Sequence, residues 1–197
     1  AFGFGRCHSI LSAGGTLCLT KKLFINELFE LVEQQNCNAL SAPPSILASI
    51  MRLSSNKVES LATRIKLIQT GAMRFDLEYR KSLVQALPKT RVFIHYGLSE
   101  AMRATFFELN ANMDKAHTEG VPSNNVQIKI FDQELKPLPP ENEGLIGVSG
   151  KHLCLGYLDD ELWRKNIKNG FFITSDRGVV DQDGFLEFRG RSDDVIN

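Results

Sequence analysis

Near residue 120 the apolar pattern of this chain changes period, and that change restricts the fold to two kinds of sheet in succession. Upstream, Phe24, Leu28, Leu31 and Val32 recur at helical spacing, with Asn26 as the expected N-cap and Glu27, Glu30 and Glu33 on the polar face. An apolar run over Asn38 to Ala42 follows, then Pro43 and Pro44, which suit the first turn of a new helix through Leu53. Ile65 to Gln69 reads as a buried strand, Asp76 as the cap of a helix through Leu87, and Arg91 to His95 as a further strand. Strands alternating with helices imply a parallel sheet with crossovers.

Downstream the texture becomes short alternating strands: Val126 to Phe131, Leu145 to Ser149, Phe171 to Thr174, Val179 to Val180 and Phe185 to Phe188. Pro137, Pro139, Pro140 and the pairs Asn169-Gly170 and Asp183-Gly184 punctuate them, as antiparallel hairpins require. The expected class is therefore α/β, with a parallel-sheet lobe over 1–120, a small antiparallel, barrel-like lobe over 121–190, and a short exit segment at 191–197.

A 43% hydrophobic content is enough for a sizeable core. Lys plus Arg and Asp plus Glu both number 23, so no chain-wide field favours nucleic acid or an anionic membrane, and a small-molecule client is expected. No apolar run approaches the roughly 20 residues of a membrane span. Cys7, Cys18, Cys37 and Cys154 have neither metal-ligand spacing nor disulfide-scaffold density, and residues 1–20 lack the pattern of a secretory signal. A cytoplasmic location with reduced thiols is expected.

Ligands in open parallel sheets sit beyond the carboxyl ends of the strands, which directs attention to Gly71, Ala72 and Met73 and to the HYGLSE turn, His95 to Glu100. Gly97 would let backbone approach a ligand, while Tyr96 offers a flat face, Ser99 a hydroxyl and Glu100 a carboxylate. From these residues alone, a surface turn with an N-capping Ser99 is the commoner arrangement, because such turn chemistry is widespread. Asp176, in ITSDRG, can accept from two vicinal hydroxyls, or can form an Asx turn or pair with Arg177. Asp181, Asp183 and Gly184 read as a hairpin turn, because the spacing does not fit a calcium loop. His95 is expected to be structural.

Together, HYGLSE and FFITSDRGVVDQDGFLEFRGRSDDVIN resemble the adenylate-forming enzymes: acyl-CoA synthetases, firefly luciferases and peptide-synthetase adenylation domains. The resemblance covers nearly the whole chain. It implies that Tyr96 lies against adenine, that Ser99 meets the nucleotide phosphate and that Glu100 ligates Mg2+. Gly71, Ala72, Met73 and Gly97 would line the nucleotide site, Asp176 and Arg191 would hold the ribose, and Asp193 would be the hinge to a C-terminal domain. Ser99 replaces the family's Thr and keeps its hydroxyl; Ser175 stands where the family motif has Gly.

By the same resemblance, ATP and a carboxylic acid give an acyl-adenylate, which a thiol such as that of CoA then takes up. A fatty, aryl or short acid would serve as substrate. The family's phosphate loop would precede Ala1 and its lysine-bearing domain would follow Asn197. The 197-residue chain is therefore expected to be inactive alone, and either to self-associate through a face the missing part would cover or to have limited solubility. A peptide-synthetase domain loading a carrier-protein thiol and a non-catalytic binding module are the alternatives.

Overall fold

The computed structural model describes residues 2–20, 24–52, 55–71 and 75–192. These form two compact units, one of residues 1–94 with 108–116, the other of residues 95–107 with 117–197. The HYGLSE turn thus groups with the antiparallel strands.

The first unit contains α1 (Phe2–Ser12), α2 (Ile25–Gln34), β1 (Ala39–Ser41), α3 (Pro44–Met51), α4 (Ser55–Arg64), β2 (Leu67–Gly71), α5 (Leu77–Ala86) and β3 (Arg91–His95, its last residue excepted). Its strands are adjacent in the order β1, β2, β3, and β1 runs parallel to β2 with Leu40 opposite Ile68. The helix after Pro43 starts where expected, with Pro44 at a position whose missing N–H costs nothing; Leu53, its expected end, lies outside the described residues.

Asn26 does not cap α2. The helix begins at Ile25 behind an extended Phe24, whose carbonyl accepts from the Leu28 N–H at 3.1 Å, so Asn26 is already inside the first turn beside Glu27. Asp76 does stand at the N-cap of α5, but through its backbone carbonyl, which accepts from Arg80 N at 3.1 Å, rather than through its side chain.

The strand expected from Ile65 begins two residues later, because Ile65 still belongs to the end of α4, its N–H reaching Leu61 O at 2.9 Å. Helix α4 was not legible in the sequence. Among the residues whose side chains are described, its buried positions are Val58 and Leu61, with Ile65 just past its end, set in Asn, Lys, Glu, Ser, Thr and Arg. Leu47, Ile50, Leu61, Ile65, Ile68, Leu83, Leu87, Val92 and Ile94 are almost wholly buried and make the core. Arg80 is buried with them, its guanidinium donating to Phe75 O at 2.6 Å and Ala116 O at 3.0 Å, so the charge is enclosed with acceptors rather than stranded.

The second unit contains β4 (Thr105–Glu108, its last residue excepted), β5 (Val121–Pro122), β6 (Val126–Phe131), β7 (Gly144–Gly150), α6 (Asp160–Asn166), β8 (Ile167–Lys168), β9 (Phe171–Val180) and β10 (Leu186–Arg191). Strands β6, β7, β9 and β10 are neighbours in that order, all antiparallel, and β8 pairs with β9. Two expected segments, Phe171 to Thr174 and Val179 to Val180, are one strand, because Ser175, Asp176 and Arg177 continue the ladder despite their polarity.

The Asn169-Gly170 pair turns β8 into β9, both residues having positive φ (51° and 79°), as a two-residue hairpin requires. In the next hairpin, Asp181 accepts from the N–H groups of Asp183 (3.0 Å) and Phe185 (2.8 Å), which fixes it as a turn residue. Beneath the sheet, Ile130, Ile146, Val148 and Leu186 pack with Tyr96, Ala101 and Ala104, anchoring the HYGLSE turn to β6, β7 and β10.

Candidate functional site

Tyr96 and Asp176 meet. The ring of Tyr96 is 7% exposed within the core of the second unit, and its hydroxyl donates to Asp176 Oδ2 at 2.6 Å across 80 residues of sequence. Burial, then the adjacent Asp176 charge and the hydrogen bond to it, push the Tyr96 phenol well above its usual pKa, while Thr174 and Arg191 pull the other way. The hydroxyl is thus a permanent donor at neutral pH.

Asp176 is held from behind by its own strand. Its N–H donates to Thr174 Oγ1 at 3.0 Å, and that hydroxyl donates to Ile146 O at 2.9 Å on β7. Asp176 lies opposite Arg191 in the register of β9 and β10, one step after a bulge near Gly190, so the two side chains expected to share a ligand come from facing ladder positions. Next to them the Ser192 N–H and hydroxyl both donate to Ser175 O, at 2.8 and 2.9 Å. Ser175, at the position where a glycine was expected, is accommodated in regular strand. Both bland readings of Asp176 give way: it lies within a strand rather than an Asx turn, and Arg177 pairs with Glu143 at 2.9 Å.

Glu100 has a partner that sequence reasoning missed. Tyr157 donates its hydroxyl to Glu100 Oε1 at 2.6 Å, and the backbone nearby is stitched to the same turn, Cys154 N reaching Glu100 O at 2.8 Å with a bridge between Ala101 and Leu153. Tyr157 packs edge-on against Trp163, ring centroids 5.3 Å apart, and Trp163 stacks on Phe172. Burial first, then the Glu100 bond and charge, raise the Tyr157 phenol to about 12. A tyrosine inside KHLCLGYLDD carries no local sign of such a bond; only the fold brings it to residue 100.

Ser99 is exposed on this turn and caps nothing, since a bend and then the bridge at Ala101 follow instead of a helix. Gly97 is required by the turn itself: a Cβ there would lie 2.5 Å from Arg103 N and 2.9 Å from Ala101 O. His95 is buried at the end of β3. Gly71 closes β2 in the first unit, while Ala72, Met73 and the expected hinge Asp193 lie outside the described residues.

Among the described residues no three His, Cys, Asp or Glu side chains gather into a metal cage. One carboxylate beside a hydroxyl, Glu100 and Ser99, instead suits Mg2+, which protein groups hold through one or two carboxylates while phosphates and water supply the rest. In the first unit the Cys37 thiol donates to Leu31 O at 3.9 Å, and burial, then the neighbouring Cys18, raises its pKa. No helix among the described residues is long and apolar enough to cross a membrane.

A unit with parallel strands and crossover helices, and one whose HYGLSE turn and antiparallel strands carry Tyr96, Glu100, Asp176 and Arg191, are parts found in the adenylate-forming enzymes. The family described as AMP-binding enzyme matches residues 1–158, and the chain belongs to it. An uncharacterised acyl-CoA ligase of Bacillus subtilis, YhfT, is 28% identical over 95% of this chain and 37% of its own length. The hybrid PKS-NRPS synthetase gkaA of Penicillium citrinum is 29% identical over 93% of this chain and 5% of its own.

Among solved structures, the o-succinylbenzoate CoA synthetase MenE of Bacillus subtilis, in complex with ATP and magnesium ion, superposes with a TM-score of 0.84 at 23% identity, over 98% of this chain and 40% of that one. The chain spans about two fifths of the length of the acyl-CoA ligases it matches.

Proposed function

We propose that this chain supplies the nucleotide-holding part of an acid–thiol ligase that activates a carboxylic acid with ATP and passes the acyl group to CoA. The observation that carries the reading is the Tyr96–Asp176 hydrogen bond, which unites two motifs 80 residues apart at one point. With one oxygen of Asp176 engaged by the phenol, its carboxylate is oriented and its remaining acceptor capacity suits ribose hydroxyls, with Arg191 opposite as a donor. The Tyr96 ring would lie against adenine, Gly97 would shape the turn, and Ser99 would donate to phosphate. Glu100 would hold Mg2+, and Asp193 would be the hinge.

In the reaction so assigned, an oxygen of the substrate carboxylate attacks the α-phosphorus of ATP and pyrophosphate leaves with the bonding pair. The thiol sulfur then attacks the acyl carbon and AMP departs. Bound Mg2+ would neutralise charge on the phosphate oxygens. This chain's own residues bind and orient the nucleotide, the part of catalysis that positioning supplies. Acceptors other than CoA, a carrier-protein thiol foremost, are distinguished by assay of the second step.

The test is Asp176→Ala in the intact protein. Loss of a hydrogen bond to a charged group costs about 1.5–3 kcal/mol, so ATP affinity is expected to fall at least tenfold in calorimetry. Pyrophosphate exchange over a panel of carboxylic acids then identifies the substrate class. A folded variant with unchanged ATP affinity would remove Asp176 from the site.

A further inference from the structure

The bond between Tyr157 and Glu100 gives the second unit a feature that the nucleotide reading does not require, and it spans 57 residues of sequence. The loop that carries Tyr157 reaches the HYGLSE turn twice, through Cys154 N to Glu100 O at 2.8 Å and through the Tyr157 hydroxyl to Glu100 Oε1 at 2.6 Å. Backbone and side chain of one residue are therefore fixed by one loop.

The phenol is in turn kept in place by aromatic packing, edge-on to Trp163 at 5.3 Å and to Phe172 at 6.5 Å. Trp163 belongs to α6, whose N-cap Asp159 accepts from Leu162 N at 3.1 Å, two residues beyond Tyr157. A residue anchored this way on regular structure holds a partner within a narrow range of orientations. The Tyr157 hydroxyl donates to Glu100 Oε1, and Oε2 lies outside that bond.

We infer that Tyr157 is a positioning residue for the metal-binding carboxylate: its hydroxyl holds Glu100 in the one rotamer that turns Oε2 toward a divalent cation. The inference rests on the reading of Glu100 as the Mg2+ ligand. A carboxylate that must find its rotamer on binding pays that ordering in affinity, so a fixed one binds metal more tightly at equal charge. Tyr157 itself touches neither metal nor nucleotide in this scheme.

The experiment compares the intact wild-type protein with Tyr157→Phe, which keeps the ring and removes the hydroxyl, and with Glu100→Gln. Mg2+ is titrated calorimetrically into each AMP-saturated protein, and the Mg2+ dependence of pyrophosphate exchange is measured beside it. Tyr157→Phe is expected to weaken Mg2+ binding about tenfold, equivalent to about 1.4 kcal/mol. Its kcat at saturating Mg2+ should be close to wild type, and adding it to Glu100→Gln should change nothing further.

If Glu100→Gln weakens Mg2+ binding and Tyr157→Phe does not, the positioning role is overturned and the Glu100 reading stands. If Glu100→Gln leaves Mg2+ binding unchanged, the reading beneath it falls and the inference with it. Loss of the near-ultraviolet signal of Trp163 in Tyr157→Phe would make the hydroxyl a structural element and also overturn the inference. Glu100→Asp, which leaves Tyr157 intact but shortens the acidic arm, offers an independent check: wild-type Mg2+ affinity there is incompatible with a carboxylate held at a set distance.

Discussion

Replacing Tyr96 by Phe separates two uses of one side chain, since the ring is kept and only the hydroxyl that reaches Asp176 at 2.6 Å is lost. The ring's packing in the core with Ile146, Val148 and Leu186, and its tilted contact with Phe188 at 6.1 Å, should survive. A hydrogen bond to a charged group contributes about 1.5–3 kcal/mol. Asp176 is only partly buried, so water can replace the phenol at its carboxylate, and the low end, about 1.5 kcal/mol, is expected.

At this chain length 1 kcal/mol moves Tm by about 2–4 °C, which gives a fall of roughly 3–6 °C by scanning calorimetry. On the proposed reading, an Asp176 carboxylate released from the phenol would have to be ordered by the ribose instead, and AMP affinity measured on the same sample should drop about five- to tenfold. On the proposed reading, a ring lying against adenine would be kept in Tyr96→Phe. An unchanged Tm together with unchanged AMP affinity would refute the claim that this bond organises the site, and a large loss of Tm with normal affinity would make it structural only.

Gly97→Ala should destabilise the protein by about 1–3 kcal/mol or more, because the new methyl meets backbone of Arg103 and Ala101, which cannot yield as a side chain would; a urea midpoint equal to wild type would show that the turn relaxes freely. His152 has both ring nitrogens buried without hydrogen-bond partners among the described residues, and burial lowers its pKa below 6.5. The unfolded chain therefore binds the proton first as pH falls, so stability is full above 6.5 and declines as pH drops through the folded pKa. His152→Gln should flatten that part of the curve of urea stability against pH, and an unaltered slope would count against the assignment.

The sequence by itself determined the class of fold and the two motifs. Period-2 patterning with Asn169-Gly170 and Asp183-Gly184 gave the antiparallel strands, since turns that need positive φ and alternating burial are local requirements written in adjacent residues. The same locality explains the failures. Helix α4 was missed because its described buried positions, Val58 and Leu61, with Ile65 just past its end, are too few to stand out among polar neighbours, and only packing reveals which face matters. Asn26 was assigned as a cap on its residue type, although the helix entry was set by Phe24.

Tertiary structure alone decided which groups touch. Nothing near Asp176 distinguishes a partner in Arg177 from one in Tyr96; the pleat of β9 and the pairing with β7 and β10 settle it, turning Arg177 to Glu143 and Asp176 to the phenol. Tyr157 and Glu100 are joined for the same reason, by a loop whose path is fixed by the bridge at Ala101 and Leu153. A motif records the chemistry that a residue can perform, whereas its hydrogen-bond partner depends on strand register and chain path, long-range quantities that no short stretch of sequence contains.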